Sequence, residues 1–391
     1  MIETYLNINA LYNYRLFHAG VPVTKSQGNF GSLPRALSTL ELSRSIGIPI
    51  PTDVLQVYSR FRPTPLFRAV NFEKAISTDC EIYVKDESRT PTGNHKANSA
   101  YLIAYLCRDE GLETLTTETT GNWGVALAIA AAEFGLQSIS FLDTVSHRRR
   151  PDAASMIEGH GGQVVIVEQD NWHQDLLTLS ADAAIASTSE LDRAAYIFGS
   201  VYGYFVVPQS IMGLEAKTQL ASLGKYPDIV IGSCGGGANL LGIAAPFLAD
   251  HIAIASKCHI ISAESNYCPV ISCGKFGLHS IDSNGNYPQL ETYGLPGLLG
   301  DEYIGGLGST IVASAAAHFH QLGLIEAQVF TSGEAINAAR LFEATEGLRV
   351  ALETAYQLAA VVRAGQHEHK KTILVNVSSG KNDADFYLVN E

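Results

Sequence analysis

Basic residues are in short supply in this chain: 26 Lys and Arg stand against 39 Asp and Glu, a formal charge of −13. The longest basic cluster, Arg148 to Arg150, has no aromatic residues interleaved, so nucleic acid is not an expected partner. Long apolar runs are missing too. The most apolar stretches, Val125 to Ala132 and Leu240 to Leu248, are too short or too glycine-rich to span a bilayer. The first ten residues include Glu3 and lack both a basic segment and an apolar one, so no signal peptide is read there and a soluble cytoplasmic protein is expected. Cysteine pairs at metal or redox spacing are absent. Cys80, Cys107, Cys234, Cys258, Cys268 and Cys273 form no Cys-x-x-Cys, and several lie in apolar runs, which predicts reduced, buried thiols. His367 and His369 have no further clustered ligand; a solvated turn is expected there, and no catalytic metal.

What is present is ample core material, 46% hydrophobic residues in a chain of 391. From about residue 80, short β-rich runs alternate with helical patterns, the signature of βαβ units and a mostly parallel sheet, so the fold class is α/β. Strands are predicted at Glu81 to Lys85, Thr114 to Glu118, Ser138 to Leu142, Gln163 to Val167, Asp228 to Gly232, His259 to Ala263 and Thr372 to Val377. Helices are predicted at His95 to Arg108, Trp123 to Phe134, Gln209 to Leu223, Ala238 to Leu248, Gly333 to Ala344 and Leu352 to Ala364. The first 60 or so residues are loop-rich and punctuated by Gly and Pro, and are expected to wrap the core as an extension. Two sheets meeting at a cleft would place a ligand at the C-terminal ends of their strands.

Two motifs fall at such ends. The run from Lys85 to Lys96 leaves a strand, turns through Pro91 and Gly93, and opens a helix. A lysine in the first turn of a helix is disfavoured as a cation by the helix dipole, and a lowered pKa suits an amine that forms a Schiff base. The second motif is Cys234-Gly235-Gly236-Gly237-Ala238-Asn239, also between a strand and a helix. Successive glycines let backbone N–H groups converge on a phosphate at the helix N-terminus. A glycine triplet also makes a tight turn with no ligand. The spacing is neither that of a dinucleotide site nor that of a P-loop, which favours a cofactor with one phosphate over NAD or ATP.

Arg62-Pro63-Thr64-Pro65-Leu66, Pro91-Thr92-Gly93-Asn94-His95-Lys96, Gly213-Leu214-Glu215-Ala216-Lys217, the glycine triplet with Asn239, and Glu346-Gly347 followed by Ala351-Leu352-Glu353 together resemble the tryptophan synthase β-chain family. The likeness runs from about residue 60 to 385 and is nearest to the family's second branch. It implies a type II fold of pyridoxal-phosphate (PLP) enzymes, two α/β domains with the cofactor in the cleft between them. By the same resemblance residues 1–60 are the N-terminal extension, 95–205 a smaller mobile domain, and 61–94 with 206–391 the larger PLP-binding domain. Lys96 would carry the cofactor, His95 would help hold its phosphate, and Gly235, Gly236, Gly237, Ala238 and Asn239 would form the phosphate cup. Ser379, or its neighbour Ser378, would face the pyridine nitrogen, and Glu353 would lie near the ring. Glu118 would be the acid–base carboxylate, its pKa raised by desolvation. The reaction implied is β-elimination and β-replacement on an amino acid through an aminoacrylate. A homodimer is implied as well, and a partner subunit is left open.

The sequence also departs from the family. Where the family has Thr-Gly-Ala-Gly-Gln before His or Trp, this chain reads Thr119-Thr120-Gly121-Asn122-Trp123, one residue shorter. That form is similar to the loop of threonine synthases and dehydratases, in which the Asn contacts the cofactor's hydroxyl. Thr119, Thr120, Gly121 and Asn122 still precede an apolar helix and are expected to bind the substrate carboxylate. Gly308 stands where the family branch has an arginine, which removes a charge and volume near the substrate's reacting end. A changed amino-acid substrate is therefore expected. A threonine-synthase-like or dehydratase-like lyase and a non-catalytic PLP-binding protein are the alternatives.

Overall fold

The larger sheet has six strands in the order Ile325–Phe330, His259–Ser265, Ile229–Ser233, Thr372–Val377, Glu81–Asp86 and Leu66–Arg68. The first five run parallel; Leu66–Arg68 closes the edge antiparallel. Every residue of Ile229–Ser233 and Thr372–Val377 is buried, because parallel strands carry helices on both faces and read as continuous rather than alternating apolar runs. A second sheet, all parallel, has the order Ala194–Tyr196, Thr114–Glu118, Gln137–Asp143, Gln163–Val167. The α/β class is the one expected. The computed structural model describes residues 1–23, 33–168, 176–300, 302, 304–381, 383, 386 and 387.

All seven predicted strands are present, within two residues at each end. Helix boundaries moved further. The helix expected from His95 begins at Ala97, because the side chain of Asn94 accepts from Lys96 N and holds the chain in a turn until then. The helix expected from Gln209 begins at Gly203 and carries Pro208 inside it. All eleven residues from Gly203 to Gly213 are buried, and their packing keeps the helix continuous through the proline. The helix from Ala238 continues to Ile254, where Ala255 takes a left-handed conformation.

Antiparallel pieces went unpredicted. Lys275–His279, Gln289–Gly294, Leu16–His18 and Val21–Pro22 form a four-stranded sheet, and Thr4–Leu6 pairs with Gly47–Pro49. Residues from the first sixty thereby reach the core. Glu41, buried, accepts from Tyr204 N at 2.7 Å at the start of the Gly203–Ser222 helix. Four cysteines are buried as expected and Cys258 is partly so, but Cys273 is exposed: it ends the one-turn helix Val270–Cys273 just before an edge strand. Among the described residues no helix is long and apolar enough to cross a membrane, and no three His, Cys, Asp or Glu gather as a metal site.

Candidate active site

Four loops leave the C-terminal ends of strands and converge. After Glu81–Asp86, the hydroxyl of Thr90 accepts from Asn94 N at 3.0 Å and donates to Asn94 O at 2.7 Å, which folds the loop back on itself. Ser379 N, beyond the end of Thr372–Val377, donates to Gly93 O at 2.8 Å and ties two of the loops together. Lys96 follows as the N-cap of helix Ala97–Asp109, its amine 5.6 Å from the centre of the Phe205 ring. Its pKa lies below the ordinary lysine range, the direction expected. Burial is the largest cause, with Glu353 and Glu118 opposing it, so desolvation does what the sequence assigned to the helix dipole.

The glycine run joins Ile229–Ser233 to helix Ala238–Ile254, with Gly237 at φ +89°. Its backbone N–H groups from Gly235 to Ala238 make no hydrogen bond to any described residue, as the first turn of a helix leaves them. Asn239 borders the cavity, and its Oδ1 accepts from Ser233 N at 3.3 Å and braces the turn.

Glu118 ends the strand Thr114–Glu118 and is buried. Burial pushes its carboxyl up to about 8, although Tyr196, whose hydroxyl donates to Glu118 Oε2, draws it back. The next loop is more committed internally than its sequence suggested. Thr119 Oγ1 accepts from Gly121 N at 3.0 Å and from Gly124 N at 2.9 Å, so this hydroxyl shapes the loop, and those two donors are not available to a substrate. Gly121 adopts φ +133°, with Ala153 Cβ only 3.2 Å from where a Cβ would sit. Asn122 begins helix Asn122–Glu133 and donates to Glu353 Oε1 at 3.3 Å; the same oxygen accepts from Gly306 N at 2.7 Å.

His95, Lys96, Asn122, Gly235, Gly236, Gly237, Ala238, Asn239, Glu353, Ser378 and Ser379 line one cavity. Glu118, Thr119, Thr120 and Gly308 line a second, which shares Lys96 with the first. Of the predicted residues only Gly121 borders neither.

A family model described as pyridoxal-phosphate dependent enzyme matches residues 57–379. The chain belongs to that family. It is 33% identical to a tryptophan synthase β chain of Pseudothermotoga lettingae, over 88% of this chain and 86% of that one. Against tryptophan synthase β chain 2 of Aquifex aeolicus the identity is 33%, over 88% and 85%, and against that of Aeropyrum pernix 35%, over 84% and 77%. The fold is the type II architecture of these PLP-dependent enzymes.

The residues present fit the family's cofactor. A Cβ on Gly235 would come within 2.3 Å of Gly306 O, and one on Gly236 within 1.5 Å of Ser200 Oγ, so the loop approaches its surroundings as closely as bare backbone allows. Gln357, buried on helix Leu352–His367 and bordering the same cavity, has neither amide atom hydrogen-bonded within the described protein. A buried amide without partners is costly, which points to a polar group of a ligand beside it. Gly235→Ala is expected to cost about 1–3 kcal/mol through overpacking, since the obstructing atoms are backbone. The cofactor's Kd, measured by its absorbance on titration, should rise about ten- to a hundredfold.

Sequence reasoning passed over Gln357, Tyr196 and Arg150. Arg150 was read only as part of a basic cluster, yet it is buried, bonded to Asp152 at 3.0 Å, Asp383 at 3.3 Å and Asn122 Oδ1 at 3.4 Å. Burial pushes Asp383 up to about 7. Spacing along the chain carries no sign of the contact between Arg150 and Asp383, which lie more than 200 residues apart.

Proposed function

We propose that this PLP-dependent enzyme acts on an amino acid by β-elimination, with β-replacement to follow, and that its substrate pair has moved away from serine and indole. The observation that carries this reading is Glu118: a buried carboxyl with its pKa near 8, in a cavity it shares with Lys96. In this reading Lys96 binds the cofactor covalently, the N–H groups of Gly235 to Asn239 and His95 hold its phosphate, Ser379 or Ser378 faces the ring nitrogen, and Glu353 flanks the ring. When bound, the cofactor supplies an electron sink for bonds at the substrate's α carbon. The N–H groups of Asn122 and Trp123 at the start of helix Asn122–Glu133, which Thr119 leaves unused, orient the substrate carboxylate. Glu118, protonated at neutral pH, gives its proton to the group leaving the β carbon and takes one from the nucleophile that replaces it. Trp123, fixed by its Nε1–H to Thr117 Oγ1 at 2.7 Å, closes that side of the cavity to water. The division into a mobile domain at 95–205 and a larger one, and a homodimeric assembly, belong to the same reading; sedimentation tests the latter.

The shortened loop and Gly308 support the altered specificity. A Cβ on Gly308 would meet nothing closer than 3.5 Å, so the position has room for a side chain that this sequence does not supply. Misplacement by about 1 Å can cost about 10²-fold. Tryptophan formation from serine and indole is expected to stay below about 10⁴ M⁻¹s⁻¹ in kcat/KM, the lower end for native pairs. Oxo-acid release from at least one of serine, threonine or an O-activated analogue should be measurable in the same assay. Efficient tryptophan synthesis would sink the claim that specificity has moved. Asn122, which lines the same cavity as Lys96, favours a second reading as a threonine-synthase-like or dehydratase-like lyase; for the dehydratase, threonine would be the best substrate and no added nucleophile would be required.

A further inference from the structure

The orientation of His95 follows from a chain of hydrogen bonds that begins at a group with only one option. Arg62 is buried, and a guanidinium can only donate. It donates to Glu87 Oε2 at 2.7 Å and to Asn98 Oδ1. With that oxygen occupied, Asn98 Nδ2 is the donor towards Glu87 Oε2 at 3.2 Å and towards Gln209 Oε1 at 3.3 Å. Gln209 is fixed from its other side as well. Its Nε2 donates to Ser99 Oγ at 2.5 Å, and Ser99 passes its own proton to Phe205 O at 2.5 Å. Gln209 Oε1 is therefore an acceptor, and His95 Nδ1, 3.0 Å from it, carries a proton.

The remaining nitrogen, Nε2, makes no hydrogen bond to a described residue, while the ring borders the cavity of the glycine run. Burial and the neighbouring Lys96 hold the imidazole neutral, with its pKa lowered to about 3; Glu87, the charged group that opposes them, lies behind Asn98. Nε2 is then a lone pair. We propose that Gln209 is a positioning residue for the cofactor's phosphate: by fixing His95 as the Nδ1–H tautomer, it makes the phosphate subsite one that binds its ligand together with a proton drawn from solvent. The inference rests on the reading that the glycine run holds the phosphate.

The chemistry is a matter of balance. A phosphate monoester is largely a dianion above about pH 6, so it offers acceptors only. A lone pair and a dianion cannot bond without a proton between them. Whether that proton resides on Nε2 or on a phosphate oxygen, the complex holds one more than the separated partners. Affinity must then fall as pH rises, by about tenfold per pH unit above about pH 7. An Nε2–H tautomer would instead donate directly and show no such slope.

Nitrogen-15 spectra of the cofactor-free chain, with His95 assigned by its disappearance in His95→Asn, should show a neutral ring protonated at Nδ1 between about pH 6 and 8. Calorimetry with pyridoxine 5′-phosphate, which has the phosphate but no aldehyde, in two buffers of different ionisation heat at about pH 8, should show about one proton more taken up by the native chain than by His95→Asn. Gln209→Glu, which places a carboxylate against Nδ1–H and favours the imidazolium, should reduce the slope to less than about twofold per unit. An Nε2–H ring overturns the inference whether or not the ester binds. Binding without proton uptake overturns it and leaves the phosphate reading intact, whereas failure of the ester to bind removes both.

Discussion

Lys96→Ala is expected to abolish covalent attachment of the cofactor and to reduce turnover below detection. An amine must be neutral to attack a carbonyl, and the ordinary lysine pKa leaves only about one molecule in a thousand neutral near pH 7. Burial of Lys96 works against that handicap by lowering its pKa, and among the described residues no acceptor holds its amine, which lies 5.6 Å from the centre of the Phe205 ring. Lys85, fully buried where Lys96 is partly exposed, makes the contrast. Lys85 donates to Glu215 Oε2 at 2.7 Å, to Thr64 O at 2.7 Å and to Gln219 Oε1 at 2.8 Å, so all three of its protons are engaged in the core behind the site. It belongs to the ion network with Arg62 and Glu87 that supports the loop before Lys96. Borohydride reduction of the loaded protein followed by peptide mapping should place the label on Lys96, and the variant should take none. Label on any other lysine would mean that the assignment is wrong.

Much of the site was legible because its chemistry needs residues adjacent in sequence. A strand, a glycine turn and a helix form one wall of the cavity from one continuous segment, Ile229 to Ile254, and the Lys96 turn likewise needs only the run from Glu81 to Asp109. The parallel strands were readable for a related reason: covered on both faces, they are continuous apolar runs. Short antiparallel strands such as Leu16–His18, whose partner begins at Gln289, have too few residues to show a period and obtain their stability from a distant segment. The same limit hid Tyr196 and Gln357. A tyrosine on a strand and a glutamine on a helix give no local signal; only the fold shows that one reaches Glu118 and that the other has no partner among the described residues. The loop after Glu118 opens a helix, as its apolar run implied, but Thr119 Oγ1 takes two of the loop's donors, a use of a side chain that spacing does not reveal.

Tyr196 makes the consequence of replacing Glu118 more specific. Glu118→Gln is expected to keep the cofactor bound and to lower kcat by about 10²–10⁴-fold, the range for loss of a general acid–base group. The amide has nearly the same shape, and its oxygen can still accept from the Tyr196 hydroxyl, so the fold around it should survive. The sign of the pH dependence follows from the direction of the shift. A carboxyl with its pKa near 8 is protonated at pH 7, so a rate that needs its proton holds through neutrality and falls above about pH 8. The glutamine variant should lose that limb along with the rate. Tyr196→Phe separates the two roles: it removes a hydrogen bond that favours the carboxylate, so the alkaline limb should move to higher pH while the acid itself is retained. The measurement is kcat against pH for the three proteins, with the cofactor's visible absorbance recorded alongside to establish loading. Turnover in Glu118→Gln equal to that of the native chain would make the residue structural. An alkaline limb that persists unchanged in the variant would assign the titration to another group, with Lys96, the neighbouring ionisable group in the same cavity, the next to examine.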